Sequence, residues 1–338
     1  MSQIKSRMEH AYGSFMGGIV GDAAGATLEF FCGGEITEEI ALNAMNMPGG
    51  GILQVGKGQF TDDSELSISI AFSLYNKKPE YGLPIENIAQ SYSQWYKSKP
   101  FDIGGTCSKA FSTITKLNKS ISNKMMKNAA KFSFDSEANG ALMRICPMAI
   151  WSIDEPINVI AHNAKMDAML SHPNQVCLDC NIIIVLIIEY LIRNPKDYKG
   201  VIDYIDNYIT ININSKVKNW YYNDSLNIYE LNCSKNIGWV KWGFIMAIYY
   251  LRNNTPYETA IKEVLMKGGD TDTNACIVGS VLGALHGING IPKYMLDPVL
   301  SFDPTKPQKG HERSIIYSAS NIYDLTYQLL THELAEHQ

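Results

Sequence analysis

The sequence predicts an all-α protein. Apolar residues recur at helical spacing in segment after segment, and the segments are bounded by capping residues, glycine and proline. No strand–helix–strand alternation, internal repeat or clear linker interrupts them, so a single domain over 1–338 is expected. The third observation is a pair of small-residue stripes with a spacing of four: Gly17, Gly21 and Gly25 early on, and Ala275, Gly279, Gly283 and Gly287 late in the chain. Each stripe smooths one face of a helix so that another helix can approach closely. Two smooth faces in one chain invite each other.

Composition agrees with a globular protein. The chain has 338 residues, enough for a sizeable core, with 46% hydrophobic and 19% charged residues. A net charge of -5 argues against a surface that coats nucleic acid. Seven cysteines at scattered spacing suit reduced thiols. Met1 to His10 is polar and charged, without a signal-peptide pattern, so a cytoplasmic location is expected. The apolar block Ile182 to Ile188 is much shorter than the ~20 residues of a membrane span, and no membrane partner is expected.

In chain order, residues 11–30 form the first glycine-faced helix. Gly18, Asp22, Gly25 and Glu29 are spaced 4, 3 and 4 apart, so Asp22 and Glu29 share one face of it. Gly33 to Gly58, with Pro48 and three glycines after it, reads as a long loop. Thr61-Asp62-Asp63 then precedes Leu66 to Leu74. That segment alternates like a strand, but Leu66, Ile70 and Leu74 also keep a spacing of four. A helix is preferred, because a strand would point Asp62 and Asp63 to opposite faces.

Pro84 to Lys97 is amphipathic. Gly104-Gly105-Thr106 opens a further helix, and free backbone N–H groups there can cradle phosphate. Asn139-Gly140-Ala141 is a turn entering a buried helix, with Arg144 in need of a carboxylate partner. Ser171-His172-Pro173 leads into a buried helix over Val176 to Arg193, where Cys177 and Cys180 form an isolated CxxC with no second pair. Thr210 to Gly238 reads as a long connection or a variable insertion. Trp239 to Arg252 is another core helix. Thr255 and Glu258 have capping-box spacing, and their helix stops at Gly268. Asn321 to Glu336 is the last helix.

The chemistry concentrates in Gly268-Gly-Asp270-Thr-Asp272-Thr273. Two acids and two hydroxyls occupy four residues at a helix start. One capping Asp needs no further explanation, but this set exceeds what a cap requires. Oxygen-only donors suit a hard cation such as Mg²⁺ or Mn²⁺, so both readings stand, metal site and elaborate cap. Thr61-Asp62-Asp63 poses the same pair of alternatives.

Taken in order, Gly21-Asp-Ala-Ala-Gly…Glu29, Thr61-Asp62-Asp63, Asn139 to Arg144, Ser171-His172-Pro173 and Gly268 to Thr273 resemble the ADP-ribosylglycohydrolase family. The similarity runs from about Glu9 to Pro292, and it is the ordered set that makes it specific. The resemblance implies an all-α, single many-helix domain and two Mg²⁺ or Mn²⁺ ions held by Thr61, Asp62, Asp63, Asp270, Asp272 and Thr273. It implies substrate contacts at Gly104, Gly105, Asn139, Gly140, Ala141 and His172. Glu29 matches an acid near the scissile bond, and Glu29 and Asp62 are the expected catalytic carboxylates. The implied activity is cleavage of a glycosidic bond to ADP-ribose, carried by a protein side chain such as arginine or by a small ADP-ribose derivative. A catalytically silent ADP-ribose-binding relative is the alternative.

Overall fold

The computed structural model describes residues 2–112 and 120–333. Among these the chain forms sixteen α-helices. In order they are α1 (Ser2–Gly25), α2 (Glu38–Met45), α3 (Asp62–Leu74), α4 (Ile85–Lys97), α5 (Gly105–Phe111) and α6 (Ile121–Phe132). Then come α7 (Cys146–Trp151), α8 (Ile157–Ala168), α9 (Gln175–Arg193), α10 (Gly200–Asn212) and α11 (Ser215–Tyr222). The last five are α12 (Val240–Arg252), α13 (Tyr257–Met266), α14 (Thr271–His286), α15 (Lys293–Ser301) and α16 (Ile322–Thr331). No strand forms among the described residues; two isolated bridges, Gly50–Val55 and Ala138–Trp239, tie loops together.

The two small-residue stripes do meet. α1 and α14 run antiparallel with their backbones in contact, Gly17 against Gly279 and Gly13 against Gly283. A Cβ on Gly17 would collide with the Gly279 carbonyl, so the approach demands glycine. Tyr257 Oη donates to the Gly17 carbonyl at 2.6 Å and closes the side of this seam. Further along, Gly25 lies directly against the backbone of Asp272. The seam therefore sets the end of α1 beside the start of α14.

α9 is buried along nearly its whole length. Its 19 residues are long and apolar enough to cross a membrane, more than the Ile182 to Ile188 block alone indicated. Yet 89% of the window is buried inside the protein, which makes it the central core helix. α3 is helical, as its spacing of four indicated, and a buried ion pair anchors it. Arg313 Nε and Nη2 each donate to Glu65 at 2.7 Å, and Trp95 Nε1 donates to the same carboxylate at 2.7 Å.

Several expectations need correction. α1 ends at Gly25, and Glu29 follows in a turn rather than on a helical face. The Gly33–Gly58 loop contains α2, capped by Thr37. The 210–238 stretch contains α11, whose Val217, Trp220 and Tyr221 are buried. The Thr255–Glu258 capping box does not form: α13 starts after Pro256 with no side-chain cap, and Glu258 accepts from Tyr294 instead. The final helix stops at Thr331, where His332 takes a left-handed conformation, and 334–338 lie outside the described residues.

Candidate active site

A cleft of about 340 Å³ opens where α3, α5 and α14 begin. Six carboxylates line it: Glu29, Asp62, Asp63, Asp102, Asp270 and Asp272. The Asp62–Asp63 and Asp270–Asp272 pairs lie about two hundred residues apart in the chain and meet here. Thr273 Oγ1 donates to Asp63 Oδ2 at 3.3 Å, and Thr61 Oγ1 lies 3.4 Å from Asp272 Oδ2.

The capping alternative can now be decided. At α3 the N-cap position is Thr61, and at α14 it is Asp270; neither side chain makes a cap bond. The start of α3 is capped instead by Asp22, from α1. Its carboxylate accepts from Thr61 N at 2.9 Å, from Thr61 Oγ1 at 3.0 Å, and from Ser64 N and Oγ. A cap brought from a distant helix frees Asp62 and Asp63 to face the cleft.

Two trios of carboxylates are close enough to share a cation: Asp22, Asp63 and Asp272, and Glu29, Asp270 and Asp272. Within each, one oxygen per residue lies within 4.8 Å of the others, and Asp272 belongs to both. Glu29 thus stands among groups that can hold a cation, and Asp62 belongs to neither trio. Instead Asp62 has Asp102 as its chief charged neighbour, after burial the largest cause of its raised carboxyl.

The electrostatics are strained. Burial, then Asp102 and Asp270, push the Glu29 carboxyl up to about 9. Burial pushes Asp22 to about 7 in spite of the hydrogen bonds from Ser64 and Thr61. Asp62, Asp63 and Asp272 are raised well above the usual range, first by burial and then by their acidic neighbours. Glu29 Oε2 and Asp63 Oδ1 are buried without a hydrogen-bond partner. Orphaned buried oxygens in a nest of like charge are compatible with a cation site.

The facing wall is Gly104, Gly105, Asn139, Gly140 and His172, all lining the cleft. Asn139 Nδ2 donates to Asp270 Oδ2 at 2.8 Å, joining the two walls. Two expected site residues do not reach the cleft. Thr61 is fully buried beneath it, its hydroxyl spent on Asp22 and Asp63. Ala141 is buried with Ala168 and Leu178. Asp22 and Asp102 were missed from sequence. Asp22 caps a helix 39 residues away, and Asp102 reads as an ordinary loop acid before Gly104-Gly105. Cys177 and Cys180 are free, and Cys177 Sγ donates to the Ala138 carbonyl at 3.4 Å, so the CxxC packs the core.

The acid-lined cleft of this all-helical domain suits hydrolysis of a glycosidic bond, which a pair of carboxyls can assist. The family model for ADP-ribosylglycohydrolase matches residues 3–326, and the chain belongs to the ADP-ribosylglycohydrolase family. It is 31% identical over 89% of its length to a protein of Acanthamoeba polyphaga mimivirus, provisionally named ADP-ribosyl glycohydrolase L543, of which 94% is covered. It is 23% identical to the ADP-ribosylarginine hydrolase Tri1 of Serratia proteamaculans (strain 568), with 87% of this chain and 76% of that protein covered. Among solved structures, a chain of an ADP-ribosylglycohydrolase-related protein complex shares the fold, with a TM-score of 0.74 at 19% identity over 96% of this chain and 98% of the other.

Proposed function

We propose that the protein is a divalent-metal-dependent hydrolase that frees ADP-ribose from a protein side chain, with arginine the first linkage to test. The observation that carries this is the pair of carboxylate trios sharing Asp272, with Glu29 Oε2 and Asp63 Oδ1 left unpartnered. The donor set is all oxygen, which fits Mg²⁺ or Mn²⁺. Asp63, Asp272 and Thr273 would hold one ion, with Thr61 and Asp22 beneath them, their side chains bonded to each other at the start of α3. Glu29, Asp270 and Asp272 would hold the second. Bound there, the ions would neutralise the cluster and grip and orient the ribose hydroxyls beside the anomeric carbon.

The protein's own groups supply the rest. Asp62 and Asp102 are neighbouring carboxyls lining the cleft, and burial and then the Asp102 charge raise the Asp62 carboxyl. That pair can pass a proton to the leaving nitrogen or take one from water. Glu29 and Asp62 stand where a developing oxocarbenium charge would be stabilised. The walls formed by Gly104-Gly105 and by Asn139, Gly140 and His172 would receive the diphosphate and the second ribose. The cleft's 340 Å³ falls within the usual range for a small-ligand pocket.

The test is release of ADP-ribose from arginine-linked, serine-linked and acetyl-linked substrates, with Mg²⁺ or Mn²⁺ and with excess chelator. Release from the arginine linkage that stops on chelation is expected. Undiminished release in chelator would overturn the metal requirement. Tight ADP-ribose binding with no release from any linkage would identify a silent binding relative.

A further inference from the structure

Arg144 is fully buried, and each of its five N–H groups has an acceptor. Nε donates to Asp167 Oδ2 at 3.2 Å. Nη1 reaches the Gly140 carbonyl at 2.8 Å and Cys107 Sγ at 3.7 Å. Nη2 reaches the Asp167 carbonyl at 3.4 Å and Ser171 Oγ at 2.9 Å. Tyr92 donates to the other Asp167 oxygen at 2.6 Å, and its ring lies under the guanidinium.

Ser171 Oγ therefore accepts from a group that is always protonated. Its own hydrogen must go elsewhere. Its other side-chain partner is His172 Nδ1, 2.8 Å away. Were Nδ1 the donor, both the Ser171 hydrogen and the Nε2 lone pair would lack a partner, whereas a hydroxyl donating to Nδ1 leaves only the Nε2 hydrogen, on a ring that lines the cleft. So the hydroxyl donates to Nδ1, and the ring's hydrogen sits on Nε2. That atom is buried, has no partner within the protein, and belongs to a ring in the cleft wall. Burial, and then the charge of Arg144, hold the imidazole well below its ordinary value, so the ring stays neutral.

We propose that Ser171, oriented by Arg144, fixes His172 in the tautomer with hydrogen on Nε2 and so makes it a dedicated donor to an anionic substrate oxygen, the diphosphate of ADP-ribose. This rests on the ADP-ribosyl hydrolase reading of the same cleft. Ser171 is a positioning residue: it touches no substrate, and it acts through the ring.

The tautomer is read directly by ¹⁵N–¹H NMR of histidine-labelled protein, with the His172 signals assigned by their loss in His172→Gln. A protonated Nε2 and an unprotonated Nδ1 are expected; the reverse pattern overturns the proposal. In Ser171→Ala, loss of the fixing bond should weaken ADP-ribose binding by about tenfold while kcat falls much less, and Ser171→Thr should restore it. Wild-type affinity in Ser171→Ala would also overturn the proposal. Should that variant fail to fold by circular dichroism, the wild-type tautomer alone decides. A wild-type protein that does not bind ADP-ribose would sink the substrate reading, and the NMR pattern would still judge the tautomer.

Discussion

The two walls of the cleft are built on opposite plans. On the wall of Arg144, Ser171 and His172, a full positive charge is buried, yet all five of its N–H groups are satisfied by the protein itself. On the acid wall, six carboxylates face one another across the cleft, and two of their oxygens have no partner. The buried charge of the first wall is fully partnered by the protein, which leaves only the neutral His172 Nε2 open. The second wall leaves carboxylate oxygens that could take a cation. Buried charge is therefore not one kind of feature. Where the protein supplies every partner it is architecture, and where partners are missing it is a site.

The sharpest way to break this comparison is Asp272→Asn. Asp272 is common to both trios, so its loss should disable both cation positions. Losing metal-supplied stabilisation of several kcal/mol predicts a fall in kcat/KM of about 10⁴-fold, measured on an arginine-linked substrate. The same change removes one of several repelling charges, so in chelator the variant should melt no lower than wild type. A variant that melts lower than wild type in chelator would mean the acid wall is structural after all.

Arg144→Met tests the partnered wall. It leaves the fully buried Asp167 carboxylate without its counter-charge, with only Tyr92 still donating to it. Removing one partner of a buried pair costs about 3–5 kcal/mol, here read from denaturant midpoints. Added Mg²⁺ should recover none of that loss, because no carboxylate of either trio hydrogen-bonds Arg144 or Asp167. Restoration by metal, or a loss below about 1 kcal/mol, would erase the distinction between the walls.

How much of this was legible in the sequence follows from where each signal lives. The α1–α14 seam was legible because its cause, small residues every four positions, is local to each helix. The acids at 62, 63, 270 and 272 were legible because they cluster at two helix starts. Glu29 was found for the right cleft on a wrong geometry: the chain leaves the helix at Gly25 and turns Glu29 inward. Asp22 caps a helix other than its own. Sequence spacing carries no trace of that. Asp102 lacks any local pattern, because only the fold sets it beside Asp62. Arg144 was expected to need a carboxylate, and Asp167 supplies it 23 residues on. The segment at 38–45 and that at 215–222 were taken for connections because polar and loop-type residues surround short amphipathic helices.

The smallest expected effect is the most specific to the acid wall, and it is a pH dependence. Without metal, burial holds Asp22 up to about 7, from an ordinary 3.8, and Glu29 up to about 9, from an ordinary 4.5. A carboxyl raised by folding binds more protons folded than unfolded. Its contribution is therefore favourable at low pH and is lost as pH climbs from the unfolded value toward the folded one. For these two groups that window runs from about pH 4 to about pH 9. The metal-free protein should thus lose stability steadily across neutral pH. A bound cation reverses the preference, because it favours the charged form and must displace protons to bind. Its stabilisation should grow with pH, by up to about 1.4 kcal/mol per pH unit for each proton displaced. The measurement is the gap in melting temperature between Mg²⁺ and chelator, at about pH 5.5 and about pH 8. A small gap in acid that widens at the higher pH is expected. On the Arg144 wall burial holds the His172 imidazole down, an effect of opposite sign that is common to the Mg²⁺ and chelator curves, so Arg144→Met should lower both curves while leaving the pH trend of the gap intact. A gap of equal size at both pH values would show that no protons are exchanged for metal at the acid wall.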